Sequence, residues 1–548
     1  MTESAVARRT LLALLAAFAL AWFCNLGYRH LIKPDEGRYA EIPREMIVSG
    51  DWLTPRINGY KYFEKPPLQY WATAASFSAF GPNEWAARLW PGLTGFLGVL
   101  LVFWAGSRLF GPPSGLLGAA VAASCALYVI VGHLLTLDMG LSVFMAAAVF
   151  AFAVAQAEAA LHERRRWMLV AWAAMALAVL SKGLVGAVLP IAAVGAYVLL
   201  QRDWKLLSRL ELLRGGLLLL AIAAPWFVLV SLANPEFPRF FFIHEHFERF
   251  LTKEHDRYQP TWFFVPVLLV GMLPWIVALV PALVRAWPRS TVTGFDPRRF
   301  LFVWCAVVFV FFSASSSKLL PYILPLFPAL SLLVGDYLRT ASRGVLVAQA
   351  VVAVLAGAAL VFAAPRAPLY SSDSIPPALL EHYVPWLIAA GMALAVGGVA
   401  SGACVARDRR LAAALALAFA GLAVAQTALS GYQTLSPSLS AYDIAHKVRD
   451  GMKPDARFYF VETFDHTALF YLRKQVTMVS VKDELADPIE REPRDFLADA
   501  PAFARAWQAD GDAFAMFNVI DLPAFLEKYP LRMRVVATDP RRVIVRKP

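Results

Sequence analysis

RRTLLALLAAFALAWF, residues 8–23, sets two arginines in front of fourteen residues without a charge. Carried on to Leu26, this run makes a helix about 25 Å long, close to the ~30 Å hydrocarbon core of a bilayer. A basic start and an apolar run also describe a secretory signal. No small-residue cleavage site follows Phe23, however, and similar runs recur along the chain. The run therefore reads as a retained helix, the first of several that cross the membrane.

Composition agrees. The 548 residues are 59% hydrophobic and 17% charged, where a soluble domain carries about 25% charged residues. About thirteen candidate spans lie near 10–26, 91–110, 115–132, 140–160, 167–181, 184–200, 213–232, 262–283, 300–314, 320–338, 344–364, 385–403 and 410–429. With the N-terminus inside, the inside segments carry nineteen Lys and Arg, whereas the short outside loops carry only Lys182, Lys318 and Arg366. Basic residues concentrate on the cytoplasmic side of membrane proteins, so this asymmetry sets the orientation. It also accounts for the net charge of +11 without nucleic acid. Cys24, Cys125, Cys305 and Cys404 lie in or beside apolar runs without metal-type spacing and read as small buried hydrophobes.

An odd number of spans puts the segment after Ser430 outside. There charges become frequent, and β-like runs at 457–461, 476–481, 513–518, 532–537 and 543–546 alternate with helical stretches such as 440–449 and 522–528. The fold class is an all-α polytopic membrane domain, residues 1–429, followed by a small soluble α/β domain, residues 430–548. Two long loops, about 27–90 and 234–261, face the same outer side. The first is rich in Tyr, Trp and Pro, which suits amphipathic helices at the interface better than a disordered tether.

The polar residues collect on this outer face. Asp35 follows Pro34 in a helix-start pattern, where it favours the helix dipole or holds a carboxylate at the membrane surface. Asp138 stands between two apolar runs, where a carboxylate costs ~2.5–3.5 kcal/mol. Such a residue faces a cavity or a partner, or it caps a loop tip. Glu64 and Lys65 precede Pro66 and Pro67, which stiffen the backbone. Lys318, four residues before Tyr322, either snorkels to the interface or holds a phosphate. In the second loop His244, His246 and Arg249 cluster, and a divalent cation (Zn or Mg) held by Glu64 with His244 or His246 is conceivable.

Three motifs carry a resemblance. KPDEGRYAEIPREM (33–46), YFEKPPLQYW (62–71) and SKLLPYILP (317–325) resemble the undecaprenyl phosphate-aminoarabinose:lipid A transferases, within the protein O-mannosyltransferase-like, GT-C type glycosyltransferases. The resemblance covers the whole layout. It implies transfer of 4-amino-4-deoxy-L-arabinose from an undecaprenyl phosphate donor to lipid A phosphates, with inversion at the sugar, at the periplasmic face of a bacterial inner membrane. Resistance to polymyxin and other cationic peptides follows from that activity. Asp35 matches the catalytic carboxylate of the first loop and Asp138 the second functional aspartate. Arg38, Tyr62, Glu64, Lys65, Lys318 and Tyr322 fall on motifs that line the cavity, and Arg249 is placed there by position. The donor, lipid A and membrane lipids are the implied partners. Two alternatives remain: a transferase using another polyprenyl-linked sugar, such as a protein mannosyltransferase, and a lipid flippase or transporter. A transporter favours broken helices and charges inside spans, whereas here the charges gather at one face.

Overall fold

Inside a bilayer every backbone N–H and C=O must find a partner within the protein, and a helix achieves this segment by segment. The computed structural model describes residues 3–248, 258–288 and 294–548, and of these the side chains of 3–12, 244–248 and 483 are not described. The chain begins α1 (Glu3–Phe23), α2 (Asp35–Ser49), the short strands β1 (Arg56–Ile57) and β2 (Tyr60–Lys61), and α3 (Leu68–Phe80). It continues through α4 (Glu84–Phe110), α5 (Pro112–Ala122), α6 (Ala126–Gly132), α7 (Asp138–Ala157), α8 (Leu161–Lys182), α9 (Val185–Gln201) and α10 (Leu212–Ala233). After α11 (Phe264–Gly271) and α12 (Ile276–Ala286) come α13 (Pro297–Ala314), α14 (Phe327–Leu338), α15 (Arg343–Ala363), α16 (Pro377–Ala406) and α17 (Arg410–Gly431).

Each of the thirteen stretches expected to span is helical. Among the described residues eight helices are long and apolar enough to cross a membrane. The α5–α6 pair and the pair ending in α12 are apolar enough together but bent by 68° and 114°, as in a broken span or a re-entrant loop. The apolar part of α1 (Ala13–Phe23) and α9 are shorter, and α8 carries Arg164, Arg165 and Arg166 in its first two turns.

The two breaks differ from the straight spans expected at 115–132 and 262–283, and they pack on one another. Pro274 has no N–H to give and pushes the residue before it out of helical geometry. The backbone groups so released are satisfied partly by the other break and partly by α15. Ala126 N–H donates to Leu273 O (3.1 Å), and Trp275 Nε1 donates to the Ser124 hydroxyl (2.9 Å). Gln349 of α15 accepts from Ala278 N–H (3.2 Å) and donates to Pro274 O. Irregular backbone is tolerated at membrane depth when protein covers it in this way. Elsewhere the helices meet closely. A Cβ on Gly335 of α14 would lie 2.2 Å from the Gly118 nitrogen of α5, the close approach that small residues allow.

The C-terminal unit contains α18 (Tyr442–Arg449), β3 (Arg457–Val461), α19 (His466–Leu472), β4 (Thr477–Val479), α20 (Ala486–Arg491) and β5 (Phe496–Leu497). It closes with α21 (Ala500–Ala509), β6 (Ala513–Asn518), α22 (Leu522–Lys528), β7 (Arg534–Thr538) and β8 (Arg542–Arg546). Its sheet has the order β5-β4-β3-β6-β8-β7. The β5, β4, β3 and β6 strands run parallel, and β8 is antiparallel to both β6 and β7.

The period-2 alternation of β3 explains how this unit is placed. Tyr459 and Val461 face a core with Phe503 and Phe525 of α21 and α22. Phe458 and Phe460 face the other way, into a core with Tyr39, Ile42 and Met46 of α2 and with Tyr62 and Phe77. The C-terminal unit and the first loop are therefore built around shared apolar side chains. Asn58, in the β1–β2 turn, makes two hydrogen bonds to the Val476 backbone (2.9 and 2.8 Å). Leu31 N–H donates to the Tyr471 hydroxyl (2.8 Å), and Lys33 N–H donates to Leu439 O (2.9 Å).

Candidate functional site

Asp35 and Glu36 open α2, and their environments separate their tasks. Glu36 is buried. It takes a two-pronged grip from Arg88 (Nε at 2.7 Å, the terminal nitrogen at 2.8 Å) and accepts from the backbone of Leu135 (2.9 Å) and Ile32 (3.1 Å). Burial opposes its charge, but Arg88, with Arg29 and the Leu135 N–H, holds its pKa below the ordinary carboxylate range. Arg88 also donates to the carbonyls of Leu26, Arg29 and His30. Because Leu135 belongs to the turn that leads into α7, Glu36 fastens the start of α2 to the start of α7. Arg29 adds a bond to His133 O (2.6 Å) in that same turn. The two aspartates expected to be functional, Asp35 and Asp138, sit in the first turns of these two fastened helices.

Asp35 itself is 45% exposed and accepts from Arg38 at 2.9 Å. Asp138 is buried, and its Oδ1 lies 2.5 Å from the Lys182 ammonium at the end of α8. Lys182 also sits over the Tyr322 ring, 5.1 Å from its centre, and feels the charges of Asp138 and Asp35. Tyr39 is buried among the same carboxylates. Burial first, and then the charges of Asp35, Glu64 and Asp138, raise its pKa, against the opposing charge of Arg38. Burial and Glu64 likewise raise the pKa of Tyr62. Lys65 donates to the Glu64 carbonyl (2.8 Å) and lies 3.7 Å from the Glu64 carboxylate.

Of the residues expected from sequence, Asp35, Arg38, Tyr62, Glu64, Lys65, Asp138 and Tyr322 thus belong to one neighbourhood where α2, α7 and α8 meet. Lys318 is engaged differently. It is buried and donates to the carbonyls of Gln259 (2.8 Å) and Ser315, bracing the turn after α13. Arg249 and the side chains of His244 and His246 lie outside the described residues. Among the described residues no three of His, Cys, Asp and Glu form a group that could hold a metal ion.

Sequence reasoning missed four members of the site. In sequence Lys182 reads only as an outside-loop charge. The cost of burying charge next to apolar spans, which singled out Asp138, applies equally to it. Tyr39 looked like one aromatic among many. Glu484 and His466 come from the C-terminal unit. Glu484 Oε1 accepts from Arg38 Nε (2.9 Å) and lies 2.7 Å from His466 Nε2, a meeting that no local pattern encodes.

The neighbourhood pairs carboxylates with ammonium groups at the ends of apolar helices. It suits a substrate that carries both a lipid chain and a phosphate. Comparison with known proteins points the same way. Residues 444–547 match the family model described as aminoarabinose transferase C-terminal domain, and residues 7–241 match the one described as dolichyl-phosphate-mannose-protein mannosyltransferase. The undecaprenyl phosphate-alpha-4-amino-4-deoxy-L-arabinose arabinosyl transferase of Erwinia tasmaniensis is 33% identical over 490 residues, covering 84% of this chain and 81% of its own. The like-named transferase 1 of Proteus mirabilis is 36% identical over 331 residues, 58% of each chain. The crystal structure of ArnT from Cupriavidus metallidurans bound to undecaprenyl phosphate superposes with a TM-score of 0.92 at 36% identity, covering 98% of both chains. The archaeal oligosaccharyltransferase AglB of Archaeoglobus fulgidus shares the fold alone, with a TM-score of 0.51 at 13% identity over 85% of this chain and 64% of that one. With identity sustained over most of both lengths, this multi-pass membrane protein belongs to the ArnT family of aminoarabinose transferases.

Proposed function

We propose that this protein moves 4-amino-4-deoxy-L-arabinose from undecaprenyl phosphate to the phosphate groups of lipid A, at the periplasmic face of a bacterial inner membrane. The observation that carries the reading is the gathering of Asp35, Glu64 and Asp138 with Lys65 and Lys182 where the first loop meets α7 and α8. The names of the relatives and the undecaprenyl phosphate held by the Cupriavidus enzyme support it. The excess of basic residues on the opposite side of the membrane supports the orientation.

In the reaction, the bond between the sugar's anomeric carbon and the polyprenyl phosphate oxygen breaks. A lipid A phosphate oxygen attacks the same carbon from the opposite face, inverting it. The electron pair leaves with undecaprenyl phosphate, whose charge grows as the bond lengthens. Lys65 and Lys182 offset that charge in surroundings with little water. Asp138 holds the Lys182 ammonium in position. Positive charge develops at the sugar ring in the transition state, and Asp35, on the exposed side of the cluster, favours it and orients the acceptor. Little base chemistry is required, because a phosphate monoester has its second pKa near ~6 and reaches the site as an anion. Glu64 suits the cationic amine of the sugar. The product carries new positive charge on lipid A, which weakens attraction for polymyxin and other cationic peptides. The alternative of a lipid transporter draws no support from the two helix breaks, because they seal one another.

Mass spectrometry of lipid A from cells with and without the protein tests this. The expected result is one added aminopentose per modified phosphate, lost in Asp35→Asn at equal expression. Unmodified lipid A in cells making the wild-type protein overturns the reading, and full addition by Asp35→Asn overturns the role given to Asp35.

A further inference from the structure

Transfer as described asks nothing of the C-terminal unit, yet a carboxylate from that unit reaches the reacting neighbourhood. Arg38 presents a rigid planar guanidinium with donors along its edges. Glu484 takes one edge, with Oε1 accepting from Nε at 2.9 Å and Oε2 meeting a terminal nitrogen. The remaining nitrogen donates to Asp35 at 2.9 Å. An edge held at two points cannot rotate, so the third nitrogen has one direction to point, and it points at Asp35. Glu484 is in turn oriented by His466, 2.7 Å away.

His466 is fixed by its own element. It is the first residue of α19, whose preceding Asp465 accepts from the backbone of Thr467 (3.0 Å) and Ala468 (3.2 Å). Asp465 is held by buried Arg542 at 2.8 Å. The start of α19 abuts the start of α2 so closely that a Cβ on Gly37 would lie 2.6 Å from Thr467 N. The elements bearing Asp35 and His466 are therefore in direct backbone contact.

We infer that Glu484 is a positioning residue for the transfer reaction, through which the C-terminal unit sets the direction of Arg38 and, by way of Arg38, of Asp35. The inference rests on the transfer reading above. Asp35 is half exposed and would otherwise exchange between rotamers. Small errors in the placement of a reacting group are expensive, about a hundredfold in rate for ~1 Å.

The test uses the full-length enzyme in detergent or nanodiscs, with undecaprenyl phosphate-aminoarabinose and lipid A. Glu484→Gln keeps the side chain's shape and removes its charge. It is expected to lower kcat about tenfold or more with the donor KM unchanged within about twofold, and Glu484→Asp is expected to recover part of the loss. Combining Glu484→Gln with Arg38→Lys should cost no more than the worse single change, because both act through one guanidinium. A wild-type kcat in Glu484→Gln, a loss confined to KM, or additive effects in the double variant overturns the inference. Hydrogen exchange gives a readout independent of turnover. Amides of residues 35–41 should exchange faster in Glu484→Gln while those of α7 do not change, and identical exchange in both proteins overturns the bridge. Should the wild-type enzyme transfer no aminoarabinose, the functional reading falls, and the exchange experiment still decides whether Glu484 orders this turn.

Discussion

Two charged sites behave in ways their neighbours dictate. Lys182 and Asp138 satisfy each other at 2.5 Å. Removing one partner of a buried pair leaves the other uncompensated, at a cost of ~3–5 kcal/mol. Lys182→Met is therefore expected to lower both thermal stability and activity, the latter about a hundredfold if the ammonium stabilises the leaving phosphate. Lys182→Met combined with Asp138→Asn should recover much of the stability and none of the activity, and a melting curve beside a transfer assay separates the two effects. Glu45 is the second case. It is buried beside Glu41; Oε2 accepts from Gly59 N–H (3.0 Å), and Oε1 has no hydrogen-bond partner among the described residues. Burial, and then the charge of Glu41, pushes its pKa up to about 8. A carboxyl raised in the fold contributes stability that is complete below its ordinary pKa and is lost as pH rises through the raised value. Melting temperature should thus fall as pH climbs from the ordinary carboxylate range through about 8, and Glu45→Gln should flatten that fall.

At the scale of elements, the contact of α2 with α19 reverses a general rule. Gly within a helix is about 1 kcal/mol less favourable than Ala, so Gly→Ala in a helix normally stabilises. Gly37 has Thr467 backbone 2.6 Å from where a Cβ would stand, and neither backbone can yield cheaply. Gly37→Ala should destabilise by ~1–3 kcal/mol and lower transfer, measured by thermal unfolding and by the lipid A assay. The elements themselves were largely legible in sequence. The strands Arg457–Val461 and Ala513–Asn518 and the helix Leu522–Lys528 lie where alternation and apolar spacing put them. The breaks inside the spans at 115–132 and 262–283 were not, because hydropathy registers that a segment is apolar and is silent on which backbone bonds a neighbouring break can replace. Asp138 stood out for a local reason, a charge between apolar runs, and Asp35 for its place after Pro34 in a helix-start pattern. Glu484 and His466 were invisible because their meaning lies in Arg38, more than four hundred residues away.

For the whole molecule, the buried Arg542 is the fastening of the C-terminal unit. It pairs with Asp465 and Asp539 at 2.8 Å each and donates to the carbonyls of Pro437 and Ser440. Burial opposes the charge on Asp465, but Arg542, with the hydrogen bonds from Thr467 and Ala468, draws its pKa down to about 2. A carboxylate depressed in the fold contributes stability that is complete above its ordinary pKa and is lost as pH falls through the lowered value. Arg542→Met should remove this contribution, so the variant is less stable than wild type at neutral pH and the gap narrows in acid, as followed by thermal melts across pH. An expected orientation was read from loop charges. The union of the first loop with the last hundred residues was not, because both surfaces look amphipathic and neither names the other.

That union has a consequence for the ribosome. Asn58 is made 418 residues before its partner Val476, which at ~5–20 residues per second is a wait of roughly 20–80 s. Throughout that interval the apolar face of the first loop lacks the C-terminal side chains that cover it, a target for proteases and for wrong partners. The fold around the first loop is complete only once the last strands have been made.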